Sequence, residues 1–116
     1  MINTIKKILG IGPKVDYAEM VRNGAIIIDV RSKGEYSHGH IKDSVNIPID
    51  TLSSHLTKLK AKNKPVITCC ASGTRSAFAK TLLQSNGFTH VYNGGSWSSL
   101  QNKIRWLSNT YLVIGI

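Results

Sequence analysis

The chain has 116 residues, 41% of them hydrophobic, and carries 15 Lys and Arg against 6 Asp and Glu, a net charge of +9. That length makes a single domain able to bury a core without disulfides or structural metal, and no apolar run approaches the ~20 residues that cross a bilayer, so no stable membrane insertion is expected. Its two cysteines, Cys69 and Cys70, are adjacent; neighbouring Cα atoms lie ~3.8 Å apart, too close for a relaxed disulfide, which excludes a disulfide framework and points to a reducing, cytoplasmic setting.

Residues 1–12 read as an N-terminal amphipathic helical extension. Ile2, Ile5, Ile8 and Leu9 share a face, Lys6 and Lys7 lie off it, and Gly10 to Pro13 end it. The lysines and the missing small-residue cleavage site argue against a signal peptide. The extension is expected to pack on the domain or a partner. Residues 13–110 form the domain itself. Asp16 with Glu19 has capping-box form and starts a helix over Tyr17 to Arg22, stopped by Asn23-Gly24. Ala25 to Val30 is a branched apolar run, the pattern of a central strand buried on both faces, with Asp29 near its end and Arg31 just beyond. Ser32 with Glu35 repeats the capping-box pattern over one or two turns through Tyr36, and His38-Gly39-His40 breaks it.

Ser44 to Ile47 is a short strand halted by Pro48. Asp50 is the expected cap of a helix in which Leu52, Leu56 and Leu59 share one face. Lys58, Lys60, Lys62 and Lys64 straddle the end of that helix and the next turn with no aromatic among them. This is the pattern of a solvated face, so no nucleic-acid partner is expected, while the basic surface suits small anions and acidic carrier proteins. Val66 to Cys69 is a strand, and Ser76 to Asn86 a helix with Gly87 as its left-handed cap. Val91-Tyr92 is a short strand and Asn93-Gly94-Gly95 a turn. Trp97, Leu100, Ile104 and Leu107 space out a last helix, and the apolar tail 111–116 reads as a packed strand or end segment.

Alternating strands and helices predict an α/β domain: a central, mostly parallel sheet of about five short strands with helices on both faces. Sites in such sheets form at the C-terminal strand ends. The Asp29-Arg31 end, the Cys70 loop and the Asn93-Gly94-Gly95 turn are therefore expected to converge on one edge.

The loop Cys69-Cys70-Ala71-Ser72-Gly73-Thr74-Arg75-Ser76 organises the rest. Successive loop N–H groups and a helix N-terminus gather positive potential around a thiol, and such a site favours the reactive thiolate. Either cysteine fits that description on position alone.

The ordered set Ile28-Asp29-Val30-Arg31, Glu35-Tyr36, Gly39-His40-Ile41, Asn46-Ile47-Pro48, Cys70 to Ser76 and Asn93-Gly94-Gly95 resembles a single-domain rhodanese, a sulfurtransferase, over roughly Val15 to Leu107. Four residues separate Cys70 from Arg75, the rhodanese spacing; five separate Cys69 from Arg75, the spacing of same-fold phosphatases. In both families a glycine commonly stands three residues after the nucleophile, and Gly73 does so only for Cys70. The resemblance thus implies Cys70 as nucleophile and the backbone of Ala71, Ser72, Gly73, Thr74 and Arg75 as the cradle of a persulfide. It implies that Arg75 orients an anionic donor and braces the loop. The side chains of Ser72 and Thr74 either set donor preference or cap the following helix. Arg31 and Trp97 are candidate pocket walls, Asp29 a structural residue near the site, His40 a structural hydrogen-bonding residue, and Cys69 a buried small hydrophobe.

The implied partners are a small anionic sulfur donor such as thiosulfate and a thiol, thioredoxin-like or cyanide acceptor. No cofactor is implied. A metal site is not expected, since the histidines lack ligand-like spacing, and the missing Cys-x-x-Cys argues against a thioredoxin-type redox role. Three other readings stand beside this one: a same-fold phosphatase or arsenate reductase using Cys69, a non-catalytic interaction module, and a sulfur carrier slow with thiosulfate.

Overall fold

The computed structural model describes residues 15–114. The expected N-terminal helix of residues 1–12 lies outside them. Within them a parallel four-stranded sheet in the order β2-β1-β3-β4 is built from β1 (Ile26–Asp29), β2 (Val45–Asn46), β3 (Val66–Cys70) and β4 (Val91–Ser96). Five helices, α1 (Tyr17–Arg22), α2 (Lys33–Ser37), α3 (Leu56–Lys62), α4 (Thr74–Ser85) and α5 (Trp97–Ile114), and a 3-10 helix over Ile49–His55 complete it.

Strand β3 is buried at every position and pairs with β1 on one side and β4 on the other. Its side chains alternate between two apolar layers, as strand geometry requires. Val66 and Cys70 face one layer with Ile28, Val30, Leu52, Leu59, Ala79 and Leu83. Ile67 and Cys69 face the other with Ile27, Ile41 and Leu100, against which Tyr17, Met20 and Trp97 pack. Fully burying a Leu or Ile side chain contributes about 1.5–3 kcal/mol. The two adjacent cysteines are thus on opposite faces of the sheet.

Both capping signals operate. Asp16 accepts from the Glu19 N–H, and Ser32 with Glu35 forms the full reciprocal box. Several expectations are corrected. The sheet of the described residues has four strands rather than five, because the expected tail strand is instead the continuation of α5 to Ile114. Asn93-Gly94-Gly95 is no turn but the middle of β4, whose ladder with β3 shifts register between Thr68 and Cys70. Gly94 makes that approach work: a Cβ there would stand 2.8 Å from Leu100 Cδ2 and 2.9 Å from both Ile67 Cγ2 and Thr68 O. Asp50 caps nothing, since the chain enters a 3-10 helix after Pro48 with no side-chain cap. Cys70, not Cys69, is the last residue of β3, and α4 begins at Thr74 rather than Ser76.

Candidate active site at the Cys70 loop

Strand β3 ends at Cys70 and α4 begins four residues later, so the chain must reverse within Ala71 to Gly73. Gly73 permits this with φ +100, a left-handed conformation that L side chains adopt at a cost, and its missing Cβ leaves room for the Gly95 backbone 3.4 Å away. The reversal folds the loop over the Cys70 sulfur. Gly73 N–H donates to Sγ at 2.9 Å, and Ser76 N–H at 3.4 Å. Ser76 Oγ lies 3.4 Å from the same sulfur.

Burial pushes the Cys70 thiol up, but hydrogen bonds from the Ser76 hydroxyl and from the N–H groups of Ser76, Gly73 and Ser72 outweigh it and hold the pKa below its ordinary value. Across the strand the opposite holds. Burial, then the negative charge of Asp29, push Cys69 up to about 12 despite Arg31. The two neighbouring sulfurs are therefore shifted in opposite directions, Cys70 toward the thiolate and Cys69 toward the neutral thiol. The α4 N-terminus adds to this asymmetry, since its unpaired N–H groups face Cys70 and not Cys69.

Ser76 is a site residue that the sequence reading left outside the cradle, as is Asn93 beyond its part in a convergent turn. Ser76 is fully buried. Its hydroxyl donates to Asn93 Oδ1 at 2.6 Å and also lies 3.1 Å from Gly73 O. The signal for Ser76 was present: it sits on the first turn of the helix that closes the loop.

Arg75 is committed elsewhere than to the sulfur. Its guanidinium grips Glu35 through both nitrogens, Nη1 to Oε1 at 2.7 Å and Nη2 to Oε2 at 2.9 Å. The Arg75 hydrogen bonds, then the Ser32 N–H, hold the Glu35 carboxyl down to about 2. The sequence marks Glu35 as a helix cap and part of the family pattern; in the fold one carboxylate both completes the cap of α2 and pairs with Arg75 at the loop's rim. The pair is more than a third exposed on each side, so salt screens it.

Asp29 and Arg31 form a buried bidentate pair beneath this edge, Nε at 3.0 Å and Nη2 at 2.7 Å from the carboxylate. Arg31 Nη2 donates to Gly39 O and Nη1 to Glu35 O, so the guanidinium holds α2 and the turn after it. Arg31 is 4% exposed, which corrects its reading as an open pocket wall: it is an internal clamp. Trp97 stacks on it, with Arg31 Cζ 4.8 Å from the ring, and packs with the Cys69 layer rather than the Cys70 layer. His40 stacks on Tyr36 and its Nδ1 donates to Tyr36 O at 2.8 Å. The capping reading of Ser72 and Thr74 is also corrected, because Gly73 is the N-cap residue of α4 and no side chain caps it.

Among the described residues no cluster of His, Cys, Asp and Glu has a metal-binding arrangement, and no helix is long and apolar enough to cross a membrane. One cavity of about 120 Å³ lies between Lys60, Lys64, Pro65, Phe88 and His90 at the opposite end of the sheet. The Cys70 site is a closed cradle with an exposed rim at Ala71, Ser72 and Thr74.

A rhodanese-like fold, with a loop of this size closed over a cysteine sulfur at the C-terminal end of a central strand, defines the class, and the sequence comparison agrees: residues 14–103 match the rhodanese-like domain. The chain belongs to the rhodanese-like family, whose relatives among known proteins include single-domain sulfurtransferases. It is 36% identical over 69 residues to the thiosulfate sulfurtransferase PspE of Escherichia coli K12, covering 59% of this chain and 66% of that one. It is 38% identical over 69 residues to the uncharacterized protein YqhL of Bacillus subtilis 168, covering 60% of this chain and 54% of that one. The chain thus spans between about half and two thirds of these curated relatives. Among solved structures, a rhodanese with anions from E. coli superposes with a TM-score of 0.61 at 32% identity, over 66% of this chain and 91% of that one.

Proposed function

We propose that this protein is a thiosulfate sulfurtransferase-like enzyme that carries sulfane sulfur on Cys70. The observation that carries the reading is the pair of opposed environments at the end of β3: Cys70 receives hydrogen bonds from Gly73 and Ser76, while Cys69 is buried beside the Asp29 carboxylate. The thiosulfate sulfurtransferase relative and the anion-bearing rhodanese structure support the same chemistry.

In the first step the Cys70 thiolate attacks the outer sulfur of the donor. With thiosulfate, a new S–S bond forms to Cys70, the donor's S–S bond breaks, and its electron pair leaves with sulfite. Sulfite departs as an anion, so the step needs no general acid, consistent with a loop that presents none. The Cys70 persulfide then lies among the N–H donors of Ser72, Gly73 and Ser76, which stabilise its negative charge as they do that of the thiolate. An acceptor, a thiolate on a small molecule or thioredoxin-like protein, or cyanide, attacks the outer sulfur and releases the Cys70 thiolate. The cycle requires a free thiolate at rest, which suits a reducing compartment such as the cytoplasm. Ser72 and Thr74 at the exposed rim set donor preference, and the net charge of +9 draws anionic donors toward it.

The four-residue spacing between Cys70 and Arg75 supports transfer of a single sulfur over phosphate chemistry: a loop this short suits one added atom, and a longer one suits a tetrahedral phosphate. The test is thiocyanate formation from thiosulfate and cyanide alongside hydrolysis of an aryl phosphate. The expected result is sulfur transfer that Cys70→Ser abolishes, with no phosphate release. Phosphate release abolished by Cys69→Ala, without sulfur transfer, contradicts the reading.

A further inference from the structure

Asn93 reaches both halves of the loop at once. Its Oδ1 accepts the Ser76 hydroxyl at 2.6 Å and the Gly95 N–H at 2.9 Å, and its Nδ2 donates to Gly73 O at 3.3 Å. Both polar atoms of that amide are therefore spent on the groups that surround Cys70. Its own backbone is fixed in turn. Asn93 pairs with Thr68 across the β3–β4 ladder, and its carbonyl accepts the Tyr17 hydroxyl at 3.1 Å. The side chain projects from a sheet position, while the residues it holds lie on a loop and the first turn of a helix. It is the rigid reference against which the loop is set.

Gly73 is held on both sides. Its N–H makes the shortest contact with the Cys70 sulfur, and its carbonyl, on the far side of the same residue, is what Asn93 Nδ2 holds. Ser76 gives its N–H to the sulfur, but its hydroxyl has one proton: Asn93 Oδ1 takes it at 2.6 Å, while the sulfur lies farther off, 3.4 Å from Oγ. We propose that Asn93 is a positioning residue for Cys70: held on β4, its Oδ1 draws the Ser76 hydroxyl proton away from the sulfur and so limits how far that hydroxyl stabilises the thiolate. This rests on Cys70 as the reactive thiol, but it concerns ionisation of that thiol, which is measurable without any sulfur transfer.

The other titratable or charged groups around the loop in the described residues are Arg75 with its partner Glu35, Asp29 with Arg31, Cys69, and Tyr17 beneath β4. None of them bonds to the Asn93 or Ser76 side chains, and Asn93→Ala leaves all of their charges in place. A shift in Cys70 ionisation in that variant therefore reports the hydrogen-bonding arrangement and not a changed field.

The experiment is the pH dependence of iodoacetamide alkylation of Cys70 in a Cys69→Ala background, for the parent, Asn93→Ala, Ser76→Ala and the double variant. Asn93→Ala frees the Ser76 hydroxyl to turn to the sulfur and is expected to move the alkylation midpoint down by about one unit, roughly tenfold faster alkylation below both midpoints. Because the two residues act in one chain, the double variant is expected to match Ser76→Ala rather than the sum of the two single shifts. An unshifted or raised midpoint in Asn93→Ala, or additive shifts in the double variant, overturns the proposal. The unmutated chain gives an independent reading should Asn93→Ala fail to fold. The Asn93 side-chain amide resonances are expected to titrate with the midpoint of the Cys70 Cβ resonance, and their indifference to that titration also overturns it. Sulfur transfer that fails while these midpoints behave as expected refutes the function proposed above and leaves the role of Asn93 standing.

Discussion

Removing the Ser76 hydroxyl tests how the loop makes a thiolate. In Ser76→Ala the sulfur keeps the Gly73 N–H at 2.9 Å and the backbone N–H of position 76 at 3.4 Å, which the substitution leaves in place, but loses the hydroxyl at 3.4 Å. A hydrogen bond to a charged acceptor contributes about 1.5–3 kcal/mol, and the length of this contact puts it at the lower end. One pKa unit corresponds to about 1.4 kcal/mol, so the Cys70 midpoint should rise by about one unit. The sign follows from the native state favouring the thiolate: below both midpoints the rate falls about tenfold, and the two rates converge once both thiols are ionised at high pH. Stability should change less. Asn93 Oδ1 keeps the Gly95 N–H, and Gly73 O keeps the Ala77 N–H at 3.0 Å and Asn93 Nδ2, so the cost is about 1 kcal/mol and Tm falls by roughly 4 °C. Alkylation kinetics across pH and a thermal melt measure both. An unshifted midpoint with a lowered Tm would show that the hydroxyl serves only packing and refute the reasoning.

Three further outcomes follow from the same geometry. Glu35→Gln removes the charge that engages Arg75 at both nitrogens, leaving the guanidinium free for an anionic donor; KM for thiosulfate should fall severalfold at low salt, with the gain lost at high salt, whereas a raised KM would mean the pair holds the loop open for the donor. Gly94→Ala places a methyl within 3 Å of Leu100, Ile67 and the Thr68 carbonyl, so it should destabilise by about 1–3 kcal/mol in a melt, and an unchanged Tm would contradict the tight β3–β4 approach. Cys69 is pushed up to about 12 in the fold, so stability is fully present below its unfolded value of about 8.5 and is lost as pH rises from there toward 12; Cys69→Ala should flatten that alkaline decline in urea melts, and an identical decline in both proteins counts against the burial of Cys69.

The alternation of apolar runs with capping and turn signals made the α/β architecture legible, because Asp16, Ser32 and Gly87 act locally and the branched run before Asp29 can only be an interior strand. Less visible was what tertiary context decides. Asn93-Gly94-Gly95 has the composition of a turn, yet the space beside Ile67 and Leu100 admits only glycine backbone, so the segment is drawn into the sheet as a strand. Asp50 has the chemistry of a cap, but Pro48 sets the chain into a 3-10 helix. At the site, the spacing of Cys70, Gly73 and Arg75 marked the loop. What spacing cannot show is which long-range partner a side chain takes. Arg75 closes on Glu35, forty positions away, Arg31 turns inward to Asp29, and the Ser76 hydroxyl meets Asn93. The two cysteines differ by one position in sequence, and only the alternation of β3 puts one under the helix N-terminus and the other against Asp29's layer.

The central claim is that sulfur is carried on Cys70. Intact-mass measurement after incubation with thiosulfate, on the unmutated protein and on Cys69→Ser and Cys70→Ser, tests it directly. The account predicts a gain of one sulfur atom in the unmutated protein and in Cys69→Ser, removed by a thiol acceptor, and no gain in Cys70→Ser. A gain that persists in Cys70→Ser and vanishes in Cys69→Ser would contradict it.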